Sequence, residues 1–383
     1  MMLRLISVLM LVVVSASGQR TLDYDRSVVS QVRIDLRDLG YPPVDVIPSD
    51  ESAIRALTLA PNGALYGATS GRRSHLFVLF PVHGYVQPLG FLDGVRTVGR
   101  ALVVSQSGDV YIGAGDAPGH LYRHSPARDE TRPIRVDAAC EVADLGVPVP
   151  DEGIYALAVD RPREVIYGLS QPNGQFFSYS IKDAKTTVWG KVAERRIPGE
   201  KFETGKNIGR AIAVDAAGNA FTSGENGAIF RFDAEKQRLE RLALAAPTVP
   251  GREPYNRVDA WALDSFGTLY GGTSDGYLFR LDPKTLRLQN LGKPLNQYRI
   301  RGLVFAPNGK LYGVGGDDDE MARLFSYNPG DGSYEMLGMI DVNRRPYYAW
   351  QAYVIDALAI GLDGTIYMGQ SERKSKLYLY HPE

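Results

Sequence analysis

The sequence has a single cysteine, Cys140, among its 383 residues. A lone cysteine cannot form an internal disulfide and excludes a zinc cluster built from several thiolates. The formal net charge is only −1, which gives no reason to expect a nucleic-acid partner. No GxxxxGK[ST] or HExxH motif occurs, so we expect neither a metal nor an organic cofactor. Packing of the 44% hydrophobic residues must therefore hold the fold together.

Long apolar runs are also scarce. The one at the N-terminus has Arg4 before it, apolar residues at 5–14 and small residues at 15–18. This order predicts a signal peptide at 1–18, a mature domain at 19–383 and a secreted or periplasmic location. The run is half of the roughly 20 residues that a membrane-spanning helix needs, so we expect no membrane span. No cysteine follows it, which argues against a lipoprotein.

The sequence contains an internal repeat. Seven segments each combine an apolar strand, a tight turn such as Asn62-Gly63, a second strand with an aromatic residue and a third strand. Asn-Gly and Asp-Gly between apolar runs are strong hairpin signals, because these turns need positive φ angles. Successive copies start 42 to 55 residues apart, which suits one four-stranded sheet per copy. The sequence therefore predicts an all-β, seven-bladed β-propeller with four-stranded antiparallel blades.

The last copy ends directly after its third strand, at the C-terminus. The segment before the first copy, residues 31–40, is similar to residues 286–292, a fourth strand of the fifth copy. We expect this N-terminal strand to complete the last blade, because that pairing closes the ring and removes two open sheet edges.

The repeats resemble the seven-bladed β-propeller superfamily and, more loosely, its secreted bacterial members with streptogramin-lyase-like and quinoprotein-like repeats. The Trp-Asp signature of WD40 blades is absent. Residues 264–269 partly match the sialidase Asp-box. The match lies at the first turn of the repeat instead of the third, which argues against a sialidase. The resemblance implies that the innermost strands begin on the face that usually carries the site. It also implies that the loops between second and third strands lie on that face.

One position of the repeat is polar in every copy. It precedes the small residue of the innermost strand and holds Arg55, Arg100, Tyr155, Arg210, Asp259, Arg301 and Asp356. Four guanidiniums around one opening would bind a carboxylate, sulfate or phosphate, because arginine presents a planar fork of donors. The alternative is a purely structural ring of arginine–aspartate pairs between blades. For a ligand site we name Arg55, Arg100, Arg210, Asp259, Arg301 and Asp356.

A second position opens the third strand on the same face and holds His75 and His120 in neighbouring blades. Histidine suits general acid–base chemistry near neutral pH. Propeller polysaccharide lyases suggest the roles: Arg55 and Arg100 would neutralise a uronate carboxylate, and His75, His120 or Tyr155 would remove the adjacent proton. The alternative is that each histidine only caps its strand through a hydrogen bond to a loop.

Three functions remain open on this basis. The first is a binding protein for an anionic ligand, either an acidic glycan or a partner protein. The second is a lyase or glycosidase for uronate-containing polysaccharides, and the third is a structural scaffold. Exposed aromatic residues at Trp189, Tyr255, Tyr347, Tyr348 and Trp350 would stack on sugars, unless they are buried under their own loops. Residues 317–320 could bind calcium, but their spacing matches no calcium-loop pattern and favours a solvated acidic loop. An ion pair with Arg301 is a further alternative.

Overall fold

The computed structural model describes residues 37–38, 47–131, 136–193, 208–317, 320–344, 348–372 and 375–382. The predicted signal peptide at 1–18 and residues 31–36 of the predicted closing strand lie outside this part of the chain. Within it, none of the helices has the length and apolar character that crossing a membrane requires.

Seven antiparallel sheets of four strands each form the propeller blades, as predicted. The innermost strands of blades 1 to 7 are Ala53–Leu59, Leu102–Val104, Gly153–Asp160, Ala213–Val214, Val258–Leu263, Ile300–Phe305 and Ile355–Ile360. The second strands are Leu65–Ser70, Val110–Gly113, Val165–Gln171, Ala220–Ser223, Leu269–Thr273, Leu311–Asp317 and Ile366–Gln370. The third strands are Ser74–Phe80, Leu121–His124, Gln175–Ser180, Ala228–Asp233, Leu278–Asp282, Glu320–Asn328 and Leu377–Tyr380. The fourth strands of blades 1 to 6 are Tyr85–Leu92, Ala143–Asp144, Lys185–Lys191, Arg238–Ala245, Arg287–Gly292 and Ser333–Met339.

The fourth strand of blade 7 comes from the N-terminal end of the chain. Arg37–Asp38 pairs antiparallel with Leu377–Tyr380, so that Arg37 lies opposite Leu379 and Asp38 opposite Tyr378. This confirms the predicted ring closure, which leaves no open edge between the first and last blades.

A short hairpin and short 3₁₀ helices lie in the connections outside the blade strands. A hairpin of Asp341–Arg344 and Tyr348–Gln351 precedes blade 7. Three 3₁₀ helices lie at Asp129–Thr131, Glu225–Gly227 and Glu253–Tyr255.

The second strands carry aromatic side chains that pack between blades, as their alternating position predicts. Tyr66 is 1% exposed and lies in one apolar cluster with Leu102 and Val110 of blade 2. Equivalent buried tyrosines occur at Tyr111, Tyr167, Tyr270, Tyr312 and Tyr367. Their hydroxyl groups find partners where they are buried: Tyr167 donates to the carbonyl oxygen of Gly218 in the next blade, at 2.9 Å. Aromatic packing of this kind takes the place of disulfides in this chain.

A glycine beside several of these tyrosines makes room for a phenylalanine of the third strand. A Cβ atom on Gly67 would lie 2.1 Å from Cζ of Phe77. The same close approach recurs between Gly168 and Phe177. The recurring Tyr-Gly pair is thus a packing requirement of the blade core.

A buried ion pair joins blades 1 and 2. Nε2 of His124 lies 2.9 Å from Oδ2 of Asp129, which also accepts a hydrogen bond from Tyr66 at 2.8 Å. Nδ1 of His124 lies 3.0 Å from the carbonyl oxygen of Glu141 and 3.9 Å from Sγ of Cys140. Burial disfavours the imidazolium, but Asp129 and Cys140 outweigh it and raise the pKa of His124 to about 10. The histidine is therefore charged in the folded protein near neutral pH.

This pair predicts a loss of stability at alkaline pH. The pKa of His124 is about 10 in the folded state against an ordinary 6.5, so its stabilisation is complete below about pH 6.5 and disappears as the pH rises through 10. We expect calorimetric Tm values to fall between pH 7 and 10 in the wild type. A His124→Gln variant should be less stable at pH 7 and show a smaller fall. Parallel pH profiles for the two proteins would contradict a charged His124.

Candidate functional site

A β-bulge in the innermost strands aims the polar side chains into the central channel. In blades 1, 3, 5, 6 and 7 the pairing between first and second strands skips one residue. The skipped residues are Arg55, Tyr155, Asp259, Arg301 and Asp356. A bulge residue leaves the pleat of its own sheet, which redirects its side chain. The polar position of the repeat is thus the bulge position.

The two arginines at this position in blades 2 and 4 lie just before their strands. Arg100 instead bonds through its backbone to the innermost strand of blade 3, donating to the carbonyl oxygen of Tyr155 at 3.1 Å and accepting from Leu157. Arg210 donates in the same way to Val258 of blade 5, at 3.0 Å. All seven residues of the predicted set therefore belong to the mouth of the channel.

Asp356 of blade 7 is the centre of one ion-pair network. Arg301 donates to its Oδ1 at 2.7 Å, Arg210 lies 3.4 Å from the same atom, and Arg55 donates to Oδ2. Ser371 adds a hydrogen bond to Oδ2 at 2.8 Å. Burial would raise the pKa of Asp356, but the surrounding guanidiniums hold it well below its ordinary value. The carboxylate is therefore charged although it is buried.

Asp259 of blade 5 is the centre of a second network. Its two carboxylate oxygens accept hydrogen bonds from Nε of Arg257 and Nε of Arg299, each at 2.9 Å. Burial opposes the charge, but Arg299 and Arg257 lower the pKa of Asp259 below its ordinary value. Asp317 links the two networks, because it accepts from Arg301 and lies 3.5 Å from Arg299.

Arg100 differs from the other arginines of the mouth. It reaches across the channel from blade 2 and donates to the backbone carbonyl oxygens of Asp259 in blade 5 and Arg301 in blade 6. Among the described residues it contacts no carboxylate, and its buried Nε has no hydrogen-bond partner. Burial and the nearby charge of Arg210 lower the pKa of Arg100 to about 10. Arg100 remains a cation at neutral pH in a positively charged surrounding.

Among the described residues of the mouth, guanidiniums outnumber carboxylates. In the described part of the chain, three carboxylates of the two networks face six guanidiniums. The carboxylates belong to Asp259, Asp317 and Asp356, and the guanidiniums to Arg55, Arg100, Arg210, Arg257, Arg299 and Arg301. We call these nine residues, together with Tyr155, the arginine mouth. An uncompensated guanidinium inside a channel favours an anion there, because low dielectric and limited water strengthen the attraction.

Tyr155 is the predicted catalytic residue that the structure brings to the arginine mouth. With Arg55, Arg100, Arg210 and Asp356 it lines a small cavity of about 20 Å³. A ligand larger than a water molecule must therefore displace side chains here or bind outside this space.

His75 makes its contacts away from the arginine mouth. Its Nε2 lies 2.7 Å from Oε2 of Glu51, and its ring packs edge-on against Phe91. The side chains of both His75 and Glu51 are fully buried, and Glu51 also pairs with Arg73 at 2.9 Å. Burial lowers the pKa of His75 despite the neighbouring carboxylate. These contacts give His75 a structural role in blade 1.

His120 also lies outside the arginine mouth. Its Nδ1 is 2.8 Å from Oδ2 of Asp144 on the fourth strand of the same blade, and its ring stacks on Tyr122 at 5.9 Å. Neither of these partners belongs to the mouth. The structure thus does not bring the two histidines together with Arg55 and Arg100, which the proton-abstraction hypothesis requires of a histidine base.

The acidic segment at 317–320 pairs with protein groups where it is described. Asp317 and Glu320 belong to strands and lie opposite each other. Asp317 is bound by Arg301, the ion pair named above as the alternative to calcium, and Glu320 accepts from the backbone of Tyr298 at 3.3 Å. Residues 318 and 319 lie outside the described residues, as does Tyr347. Among the described residues, no group of three His, Cys, Asp or Glu side chains could hold a metal ion.

Two residues of the mouth were missed by the sequence analysis. Arg257 and Arg299 both lie two residues before a bulge residue, so the twofold alternation of a strand offers a signal for them. Neither of the two repeat positions used for the prediction, the polar position and the start of the third strand, includes Arg257 or Arg299. Arg299 also has φ at +63°, an uncommon conformation for a non-glycine residue that often marks a functional segment. That strain has no signature in the sequence.

No protein-family model matches the chain, and no curated protein matches its sequence. Solved structures do match. A streptogramin B lyase superposes with a TM-score of 0.66 at 13% identity, over 91% of this chain and 98% of that one. Virginiamycin B lyase from Staphylococcus aureus gives 0.65 at 11% identity, over 91% and 100%. The likeness shows the fold: a seven-bladed β-propeller.

An extracellular domain shares this fold as well. The extracellular domain of a putative one component system from B. thetaiotaomicron superposes with a TM-score of 0.58 at 16% identity, over 90% of this chain and 39% of that one. Lyases and an extracellular domain thus use the same architecture, so the fold does not decide between catalysis and binding.

The networks predict that Asp356 is essential for stability. Asp356→Asn keeps the shape but leaves three guanidiniums around a neutral amide, so we expect a loss of about 3–5 kcal/mol in the free energy of unfolding. Urea denaturation followed by circular dichroism measures this. Asp137→Asn is the matched control, because that side chain is 91% exposed and its loss should cost less than about 0.5 kcal/mol. Equal stabilities of the two variants would contradict the role given to Asp356.

Proposed function

We propose that this protein binds an anionic ligand at the arginine mouth, and that the ligand is an acidic glycan. The observation that carries the proposal is the buried Nε of Arg100, which has no hydrogen-bond partner among the described residues. It belongs to a cluster in which six guanidiniums and three carboxylates are described. A buried donor without a partner costs about 1–3 kcal/mol. A carboxylate or sulfate group would remove that cost and balance the charge.

Aromatic and cationic side chains next to the mouth favour a glycan over a small inorganic ion. Tyr298 directly precedes Arg299 in the chain and is 45% exposed. Nζ of Lys293 lies 5.3 Å from the Tyr298 ring centre, and the Arg252 guanidinium lies 5.2 Å from it. Tyr255 is 40% exposed. The exposed ring of Tyr255 would stack on a sugar, and the two cations over Tyr298 would attract acidic substituents.

The proposed location follows from the same ligand class. We infer that residues 1–18 direct the chain out of the cytoplasm and that residues 19–383 form the mature propeller. Acidic polysaccharides are extracellular material, so a secreted or periplasmic propeller would meet them. The extracellular domain among the similar folds is consistent with this location.

A lyase acting on uronate-containing glycans is the second candidate. The observation that favours it is the position of Tyr155, which shares a cavity with Arg55, Arg100 and Arg210. In this version the arginines neutralise the uronate carboxylate and the phenol oxygen of Tyr155 removes the adjacent proton. The two histidines have no part in it, because their contacts lie elsewhere.

Arg100→Ala tests the proposed function. We expect the wild type to bind acidic oligosaccharides, such as oligogalacturonates and sulfated glycans, in a salt-dependent manner. Arg100→Ala should weaken that binding by tenfold or more, since a hydrogen bond to a charged group contributes about 1.5–3 kcal/mol. Isothermal titration calorimetry measures the affinity.

Arg280→Ala is the matched control for this test. Arg280 is exposed on the outer part of blade 5 and bonds to Gln289, so its loss should leave the affinity unchanged. The ultraviolet absorbance of an unsaturated uronate, followed in the same samples, separates the two candidates: product supports the lyase, and binding without product supports the binding protein. Absence of binding by the wild type, or equal affinities for wild type and Arg100→Ala, would contradict both and leave a structural scaffold.

A further inference from the structure

A second, larger cavity lies on the inner side of the arginine mouth. Its volume is about 160 Å³, and Arg55, Arg100 and Asp356 form one end of it. From there it continues along the innermost strands, past the small residues that directly follow the polar position of the repeat, Ala56, Ala211, Ala260, Gly302 and Ala357. The small side chains at this level are what leaves the channel open.

The next level of the cavity is apolar with one exception. Its walls are Leu57, Leu102, Leu157, Trp261, Leu303 and Leu358. Leu57, Trp261 and Leu358 are half-buried, so solvent and small molecules reach this level. The exception is Trp261, which carries a buried indole N–H, because the other five side chains have no polar atom.

Two buried hydrogen-bond donors of residues that line this cavity have no partner among the described residues. One is the buried Nε of Arg100, and the other is the buried Nε1 of Trp261. Trp261 is held by its edge-on contact with Phe279, with ring centres 5.3 Å apart. Both atoms are closed to solvent, so an acceptor on an occupant reaches either donor only when neighbouring side chains move. The one lining carboxylate, Asp356, is already bound by three guanidiniums.

The chemistry of the cavity selects a small amphipathic anion. A cation would meet the excess of guanidiniums, and an inorganic anion would leave the leucine walls in contact with water. A volume of about 160 Å³ holds roughly five water molecules at about 30 Å³ each, which corresponds to an organic molecule of roughly five to seven non-hydrogen atoms.

We propose that this inner cavity binds a short-chain monocarboxylate, with its carboxylate at Arg100 and its hydrocarbon chain between the leucines and Trp261. This inference deepens the proposed anion-binding function and rests on it. Arg100 lines both the arginine mouth and the inner cavity. The inner cavity would bind either a free carboxylate or a single acidic end group of a larger ligand.

Indole NMR of ¹⁵N-tryptophan-labelled protein tests the inference directly. The chain has three tryptophans, and the signal missing in Trp261→Phe belongs to Trp261. We expect acetate, propionate and butyrate to shift this signal, with roughly fourfold tighter binding for each added methylene group. Octanoate should bind no tighter than butyrate because it exceeds the cavity. Butanol and butylammonium, which lack the anionic group, should leave the signal in place.

Variants that fill the cavity provide a second test of the inference. Leu57→Phe should weaken butyrate binding at least tenfold, and Leu263→Phe, on the same strand as Trp261 but 38% exposed and outside the cavity, should not. Trp261→Phe, followed by calorimetry, should weaken it two- to tenfold. A Trp261 signal that ignores butyrate, or equal affinities for acetate and butyrate that Leu57→Phe does not change, would overturn the inference. If acidic oligosaccharides still bind with Arg100 dependence in that case, the proposed function stands alone; if they do not, both fail.

Discussion

The buried carboxylate of Asp356 is the interaction on which the centre of this propeller depends. It lies where blades 1, 4, 6 and 7 meet, and arginines from the first three of these blades converge on it. Charged groups of the same sign from neighbouring blades would repel one another across the channel without such a counter-charge. Asp259 plays the same part for Arg257 and Arg299. The two carboxylates make an arginine-rich channel compatible with a folded ring, and among the described residues of the mouth the guanidiniums outnumber the carboxylates.

The bulge is the structural link between the fold and this chemistry. A regular innermost strand would place every second side chain in the contact between blades, where apolar residues belong. One extra residue per strand, as at Arg55 or Tyr155, turns a polar side chain toward the axis without disturbing the residues on either side. Each blade can thus offer a polar group to the channel while its core stays apolar, and differences between blades at this position cost the fold little.

Sequence repeats were sufficient to predict the fold, the number of blades and the closing strand. They predict well because each copy repeats the same turn and strand signals, and Arg37–Asp38 pairs with blade 7 as expected. The membership of the arginine mouth followed from comparing equivalent positions. The hydrogen bonds within the mouth could not be predicted in this way. Arg100 donates across the channel to backbone atoms of blades 5 and 6, and an alignment of repeats does not show which blades a side chain reaches.

The two histidines show that equivalent positions in the repeat need not have equivalent surroundings. His75 and His120 occupy equivalent positions, yet one is buried against Glu51 and the other lies on Asp144. Their partners come from a loop before blade 1 and from a fourth strand, which are the least repetitive parts of the chain. The apolar cavity below the arginines was overlooked for a different reason: its leucines are ordinary strand residues, and only the unpaired N–H groups of Arg100 and Trp261 distinguish it.

The claim that an external anion completes the coordination of Arg100 can be measured at the atom concerned. Arginine Nε–H signals can be followed by ¹⁵N NMR and assigned with Arg100→Lys and Arg161→Lys variants. Arg161 is the internal reference, because its Nε already donates to the carbonyl oxygen of Val104 at 3.0 Å. On addition of an acidic oligosaccharide the account predicts a shift of the Arg100 signal and slower exchange of its proton with water, with Arg161 unchanged. An Arg100 signal that stays in place while the ligand is demonstrably bound would contradict it.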